Sequence, residues 1–155
     1  MDWRIWAMLG GCWLAESGLE NILSPGPFLA PLAVAAAGML RGGDTGAVFG
    51  MGTGLLLSFA GRDTGLIWAL ALAGYLSGAL GLLVSGFFGY LLCAGGSVML
   101  AELSCALGAV VFRGASPGAA VSIAVGEGDI TLLFAPVVYL LFCRANRREM
   151  GLTGR

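Results

Sequence analysis

GAVFGMGTGLLLSFAGRDTGLIWALALAGYLSG, residues 46–78, contains two long apolar segments separated by one short polar loop, Gly61–Gly65. A second short polar loop, Arg41–Asp44, precedes the first segment. Each segment is nearly free of charge and long enough for several helical turns. The two loops therefore frame a predicted helical hairpin.

Small residues recur every four positions in both segments and so stack on one face of each helix. In lipid, where close packing replaces the hydrophobic effect between helices, such faces let backbones approach each other. We expect either packing inside the bundle or an interface with a partner protein. Gly52 is predicted to widen the first face, and Ala71 belongs to the second. The candidate packing residues are Gly46, Gly50, Gly54, Gly74 and Gly78.

The composition predicts an integral membrane protein. Of 155 residues, 58% are hydrophobic and 11% are charged, and the mean hydropathy is +0.91, which is too apolar for a soluble globule. The length leaves no room for a further soluble domain, so residues 1–155 are predicted to be one membrane domain. The charged residues between Pro27 and Arg144 are Arg41, Asp44, Arg62, Asp63, Glu102, Arg113, Glu127 and Asp129.

About six transmembrane helices are predicted, since a bilayer core needs roughly 20 apolar residues per helix. A five-helix arrangement stays open, because the break between the fourth and fifth spans is weak and lies between Val84 and Phe87. The fold class is therefore all-α, a single polytopic bundle. The approximate spans are 3–23, 28–40, 45–60, 66–84, 87–112 and 120–143.

The arginines predict the orientation. Six spans place only Arg62 and Arg113 on one side, and cytoplasmic loops carry the excess of basic residues. Both termini are then cytoplasmic. The cluster Arg144, Arg147 and Arg148 is read as a cytoplasmic basic anchor, or as a contact for anionic lipid or a cytoplasmic partner. The other arginines on that side are Arg4, Arg41 and Arg155.

Three acids are candidate functional residues, because ionisable groups inside a span are costly. Glu102 lies eleven residues before Arg113, about 16 Å along a helix, so its partner comes from another element or the carboxyl stays protonated. Glu127 and Asp129 lie at mid-depth beside Glu102 if the last helix starts near Pro117, and three acids together would then suggest a cation or proton site. We favour a start near Ala124, which puts them in the first turn, where the helix dipole favours anions, with Arg113 or Arg62 as counterions.

No catalytic, cofactor or metal site is predicted. The chain has no histidine to act as general base or ligand for its serines. The glycines of residues 50–54 lack the strand and the Lys-Ser/Thr pair of a phosphate-binding loop. No basic footprint for nucleic acid is present. The cysteines, taken as apolar helix residues with a metal or disulfide role as the alternative, are Cys12, Cys93, Cys105 and Cys143.

The order of these features resembles the MreD family of bacterial rod-shape-determining membrane proteins. Three stretches carry the resemblance: residues 27–41, residues 46–78, and LLFAPVVYLLF at residues 132–142. Where the family has an acid after its glycines, this chain has Ser58, so a role for that acid is not carried over. The middle stretch resembles the family most specifically, at Gly50, Gly54, Gly74, Tyr75, Leu76 and Gly78.

The resemblance implies a non-catalytic scaffold of the cell-elongation complex, which supports peptidoglycan synthesis and cell shape. It implies MreC as the direct partner. Through MreC it implies a SEDS glycosyltransferase with a class B penicillin-binding protein, coupled to MreB filaments. The implied location is the bacterial inner membrane.

The alternative is a substrate-binding membrane subunit of an energy-coupling-factor importer, a family with a similar six-helix architecture. In that case Glu127 and Asp129, with Trp68 or Tyr139, would form the ligand pocket. The small-residue faces would then dock a transmembrane coupling subunit.

Overall fold

The computed structural model describes residues 3–20, 22, 27–84 and 86–150. These residues form helices and no strand, which confirms the all-α prediction. In this part of the chain the helices are α1 (Trp3–Glu20), α2 (Ala30–Arg41), α3 (Gly43–Phe59), α4 (Leu66–Gly81), α5 (Gly86–Arg113), α6 (Pro117–Leu133) and α7 (Ala135–Met150).

Helix α2 occupies the centre of the bundle. All its residues from Ala30 to Gly38 are buried, and it contacts α1, α3, α4, α5 and α7. A helix that is apolar on every side is buried on every side, and alanines at residues 33 and 35–37 let neighbouring helices come close. Gly42 separates α2 from α3 with a φ of 92°, a conformation that glycine adopts readily.

Helices α3 and α4 form the antiparallel hairpin that the sequence predicts. The connecting turn contains Gly61, whose φ is 88°. In the same turn Oδ1 of Asp63 accepts a 3.0 Å hydrogen bond from the N–H of Gly65. Helix α1 runs in the same direction as α3, since Trp6 contacts Phe49. The later α1 residues reach the turn that follows α3.

Helix α5 is long and apolar enough to cross a membrane, and among the described residues it alone meets that test. Its 28 residues extend about 42 Å at 1.5 Å each. Helices α2 and α4 are apolar but shorter, with 12 and 16 residues. Helix α4 ends at Gly81 and α5 begins at Gly86, next to the predicted break.

The predicted last span, 120–143, is wrong as a single helix. It consists of α6 and α7, which are separated at Phe134. Pro136 explains the break, because proline has no N–H to donate and its ring clashes with the carbonyl four residues earlier. Helix α7 also continues beyond Cys143 to Met150.

The favoured start of this region near Ala124 is wrong as well. Helix α6 begins at Pro117, and Ser116 before it has extended dihedrals. Proline suits the first helical turn, where its missing N–H would have no intrahelical partner. Gly126 and Gly128 therefore lie inside a helix.

The bundle has large apolar side chains on its outside and several polar side chains in its mostly apolar interior. The interior face of α5 carries Tyr90, Ser97 and Glu102, all of them buried. Its outer face carries a row of large apolar residues, with Phe88 79% and Met99 71% exposed. A helix on the surface of a water-soluble protein carries charged and polar side chains on its outer face instead. The other exposed members of the row are Leu92, Leu103, Leu107 and Val111.

Candidate functional site

Helices α3 and α4 are joined backbone to backbone. A Cβ added at Gly50 would collide with the carbonyl group of Leu70, and one at Gly54 would come to 2.5 Å from the Cα of Ile67. Real Cβ atoms do not approach a backbone this closely. Only glycine therefore allows this distance between the two helices.

The same contact continues toward the α2 end of the hairpin. Cβ atoms at Gly46 and Gly74 would each collide with the other's backbone, and a Cβ at Gly78 would collide with Gly43. Gly38 of α2 packs on the carbonyl of Gly74. We call this contact the glycine seam, and it brings the five predicted glycines together inside the bundle. Its members are Gly38, Gly46, Gly50, Gly54, Gly74 and Gly78.

Gly52 does not lie on that face, so its predicted contribution to the row is wrong. A Cβ there would come to 2.7 Å from Cη2 of Trp6. The reason is angular, since two residues along a helix turn by about 200°. Gly52 thus makes room for α1, whose Trp6 ring lies 5.4 Å from that of Phe49.

A buried carboxylate connects α1 to the rest of the bundle. Glu16 is 3% exposed, and its Oε1 lies 3.2 Å from Nη2 of Arg62. Its Oε2 accepts a 3.1 Å hydrogen bond from the N–H of Leu29 at the start of α2. A carboxylate is favourable there because it meets the positive end of the α2 dipole.

Two further contacts complete this arrangement. The guanidinium carbon of Arg62 lies 4.7 Å from the centre of the Phe28 ring. The N–H of Phe28 donates a 2.8 Å hydrogen bond to Oγ1 of Thr131 on α6. Side chains satisfy these two N–H groups because residues 27–29 precede the helix. We call Glu16, Phe28, Leu29, Arg62 and Thr131 the Glu16–Arg62 cluster.

Sequence reasoning missed this cluster. It assigned no role to Glu16 and offered Arg62 as a counterion for Glu127 and Asp129. Arg62 instead pairs with Glu16. The signal was available, because an acid within an apolar helix needs a partner, and Arg62 lies in a loop that an α1 residue can reach.

Buried hydroxyl groups connect α4 to α5. Oγ of Ser97 donates a 2.8 Å hydrogen bond to the carbonyl of Cys93, and it lies 3.3 Å from Oγ of Ser77. The Ser97 hydroxyl has only one proton, which it donates to Cys93. The hydroxyl of Ser77 is therefore the donor in the contact between the two serines. Tyr90 extends the polar contacts to α2, donating a 3.3 Å hydrogen bond to the carbonyl of Leu32.

Glu102 lies on the buried face of α5 and is 7% exposed. It takes part in an interaction within the fold. Helix α5 is continuous to Arg113, which keeps Glu102 about 16 Å from that residue along the axis. The carboxyl group is therefore an interior group of the bundle.

Helix α6 places Glu127 and Asp129 in its interior rather than its first turn. Since α6 follows α5 after a three-residue link and packs against it, these positions lie at about the level of Glu102. Their side chains, and those of Arg144, Arg147 and Arg148, lie outside the described residues. Among the side chains that are described, no three His, Cys, Asp or Glu residues could hold a metal ion.

The importer alternative needs aromatic residues that the structure does not bring together. Trp68 is 73% exposed near the start of α4, where Gly65 lies beside Ser104 of α5. The Tyr139 ring instead lies 5.2 Å from that of Phe87, at the other end of α5. Seventeen residues of α5 separate these two contacts, about 25 Å.

A groove of about 470 Å³ opens between α1 and α3. It lies beside the Glu16–Arg62 cluster, and its walls are almost entirely apolar. Its lining residues are Gly10, Cys12, Trp13, Ala30, Thr53, Leu56, Leu57, Phe59 and Ala60.

Comparison of the chain with protein-family models, with curated proteins and with solved structures finds no match.

Proposed function

We propose that this chain is a multi-pass protein of the bacterial inner membrane, with both termini in the cytoplasm. The observation that carries the proposal is the apolar outer surface of the bundle, together with the polar side chains buried inside it. Glu16, Thr53, Ser77, Ser97, Glu102 and Thr131 are buried, while large apolar side chains cover the outside. Lipid is the solvent that favours this distribution, because polar groups then find partners only within the protein.

The positions of the arginines support the orientation. Helix α3 separates Arg41 from Arg62 by 17 residues, about 25 Å. Gly108 of α5 packs against Asp63, so Arg113 lies at the same end as Arg62. The sequence prediction puts most of the other arginines at the Arg41 end, which is then cytoplasmic. Helices α3 and α4 are shorter than the usual hydrocarbon core of about 30 Å, and local thinning of the bilayer accommodates them.

Within the membrane we propose a scaffold role in the cell-elongation complex, with MreC as the direct partner. The resemblance of residues 46–78 to the MreD family supports this role. Those residues form the α3–α4 hairpin, the most closely packed unit of the fold. A rigid hairpin is a suitable platform for holding cytoplasmic and periplasmic partners in register.

The glycine seam is filled by the chain's own helices, so a partner helix meets the outer surfaces instead. The exposed row of α5 is the longest of these surfaces, and Val48 of α3 and Trp68 of α4 are exposed on others. Apolar rows of this kind contact lipid wherever no partner covers them.

Site-specific photocrosslinking tests the scaffold role. The chain contains no lysine, which makes amine-reactive reagents unsuitable. A photoreactive amino acid replaces Met99, Val48 or Trp68 in turn, and exposed Thr64 in the polar loop serves as the control position. We expect MreC to be captured from at least one outer position in native membranes, together with wall-synthesis proteins.

Normal membrane abundance without capture of MreC from any of these positions would contradict the scaffold role. Capture of paired ATPases with a coupling subunit would establish the importer alternative. An unrelated tagged multi-pass protein of equal abundance controls for proteins that co-extract with any membrane fragment.

A further inference from the structure

Two contacts hold α1 against α3, and the groove lies between them. At one end the Trp6 ring packs on Phe49 at 5.4 Å. At the other end Glu16 pairs with Arg62 at 3.2 Å. Trp6 and Glu16 are ten positions apart on α1, about 15 Å. The groove is therefore a slot that lies along α1 between these two contacts.

The lining selects an apolar occupant. Among the described lining residues only Thr53 carries a hydroxyl, which donates a 2.7 Å hydrogen bond to the carbonyl of Phe49. The remaining lining residues are aliphatic, aromatic, glycine or cysteine. A polar ligand would lose its hydration here without replacement hydrogen bonds.

The groove has room for one hydrocarbon chain. The groove holds about 470 Å³. A flexible hydrocarbon chain follows such a slot, and burial of each methylene group contributes about 0.8 kcal/mol.

The charge at one end of the slot indicates which headgroup the hydrocarbon chain carries. Within the ion pair the side chain of Glu16 is 4% exposed and that of Arg62 is 34% exposed. The accessible part of the pair is thus the cation. An anionic phosphate at the membrane surface is complementary to it.

We propose that the α1–α3 groove binds one acyl chain of a membrane phospholipid, with the lipid phosphate beside Arg62. This inference rests on the proposed membrane location. The bound chain completes the packing of α1 between its two contacts.

Filling the groove with a side chain tests the proposed lipid site. A Cβ at Gly10 meets nothing within 4 Å, so Gly10→Leu adds a side chain to the empty slot. Gly11→Leu is the matched control, because Gly11 also has open space but does not line the groove. The proteins are purified in detergent with added palmitoyl-oleoyl phosphatidylglycerol, and bound lipid is counted by native mass spectrometry.

We expect one retained lipid for the wild type and for Gly11→Leu, and at least about tenfold lower occupancy for Gly10→Leu. Equal retention by Gly10→Leu, or an equal loss in Gly11→Leu, would overturn the inference. Leu56→Trp fills the slot from the α3 wall and replaces Gly10→Leu if that variant does not fold. Equal retention of dioleoylglycerol would overturn the placement of the phosphate at Arg62.

Membrane fractionation separates the two proposals. Protein released from membranes by alkaline carbonate would contradict the membrane location itself. Protein that stays in the membrane, with lipid occupancy unaffected by Gly10→Leu and Leu56→Trp, would contradict only the lipid site.

Discussion

The α3–α4 contact and the α1–α3 contact are two ways of joining helices in one small bundle. In the glycine seam the helix backbones touch, and a single Cβ at Gly50 would collide with Leu70. Between α1 and α3 the joints are Trp6 on Phe49 and Glu16 with Arg62, on either side of an open groove. The first contact has no free volume, whereas the second has space for a ligand.

This difference separates the fixed part of the fold from the part that can adapt. At the glycine seam no flexible side chain lies between the two backbones to move aside. A side chain added there therefore pushes the helices apart. Helix α1 packs on α2, but it is joined to α3 and the turn after α3 by one aromatic contact and one ion pair, so it tolerates changes on the side that faces the groove. The hairpin is therefore the fixed unit of the fold, and α1 is the more loosely packed element.

The largest effect is expected for Gly50→Leu in the glycine seam. The new side chain meets the backbone of Leu70 and Ala71, so α3 and α4 must separate. We expect a loss of more than about 3 kcal/mol in the free energy of unfolding and a sharp fall in membrane abundance. Gly96→Leu, at an exposed position with open space, is the control. Equal abundance of the two variants would show that the seam is not the packing contact.

The next largest effect is expected for Arg62→Leu, which leaves the carboxylate of Glu16 buried without its cation. We expect a loss of about 1–3 kcal/mol, less than for a fully buried pair because Arg62 is one third exposed. Glu16→Gln should cost less, since it keeps an oxygen for the N–H of Leu29. Thermal unfolding in detergent measures both variants.

The double variant sharpens this prediction. Glu16→Gln combined with Arg62→Leu should be more stable than Arg62→Leu alone, because no unpaired charge remains. Strictly additive losses would mean that the two side chains do not interact in the folded protein.

A smaller effect is expected at the contact between α4 and α5. Ser77→Ala removes the donor to Ser97 and should cost about 0.6 kcal/mol, the average for hydrogen bonds between membrane helices. Ser17→Ala, on an exposed face of α1, is the control and should change stability less. A double-mutant cycle with Ser97→Ala measures the coupling. A coupling of zero would contradict the hydrogen bond between the two serines.

The smallest effect is expected for Glu102→Gln, because the amide keeps the shape of the carboxyl group and one acceptor oxygen. We expect unchanged membrane abundance and unchanged capture of the crosslinked partner. Normal abundance with loss of partner capture would instead identify Glu102 as a charged contact or part of an ion path.

Local signals predicted the parts of the fold that depend on local chemistry. The spacing of Gly46, Gly50 and Gly54 predicts which face of α3 packs closely, and short polar loops predict where the hairpin turns. The break at Phe134 was also readable, because Pro136 lies within the predicted span. A count of apolar residues alone does not reveal this break.

Contacts between distant residues could not be predicted in the same way. The bond between Phe28 and Thr131 joins residues 103 positions apart, and no spacing rule connects them. The groove depends on how far α1 stands from α3, which only the assembled bundle defines. Gly52 is close to the glycine row in sequence, but it lies on the face of α3 that meets Trp6. Closeness in sequence does not predict a shared helix face.

Cysteine accessibility tests the central claim, that the hairpin crosses a membrane. In a variant without the four native cysteines, cysteine replaces Thr45 or Thr64, exposed residues at opposite ends of the α3–α4 hairpin. A membrane-impermeant maleimide should label Thr64→Cys in intact cells, and Thr45→Cys only after permeabilisation. Equal labelling of both positions in intact cells would contradict the account.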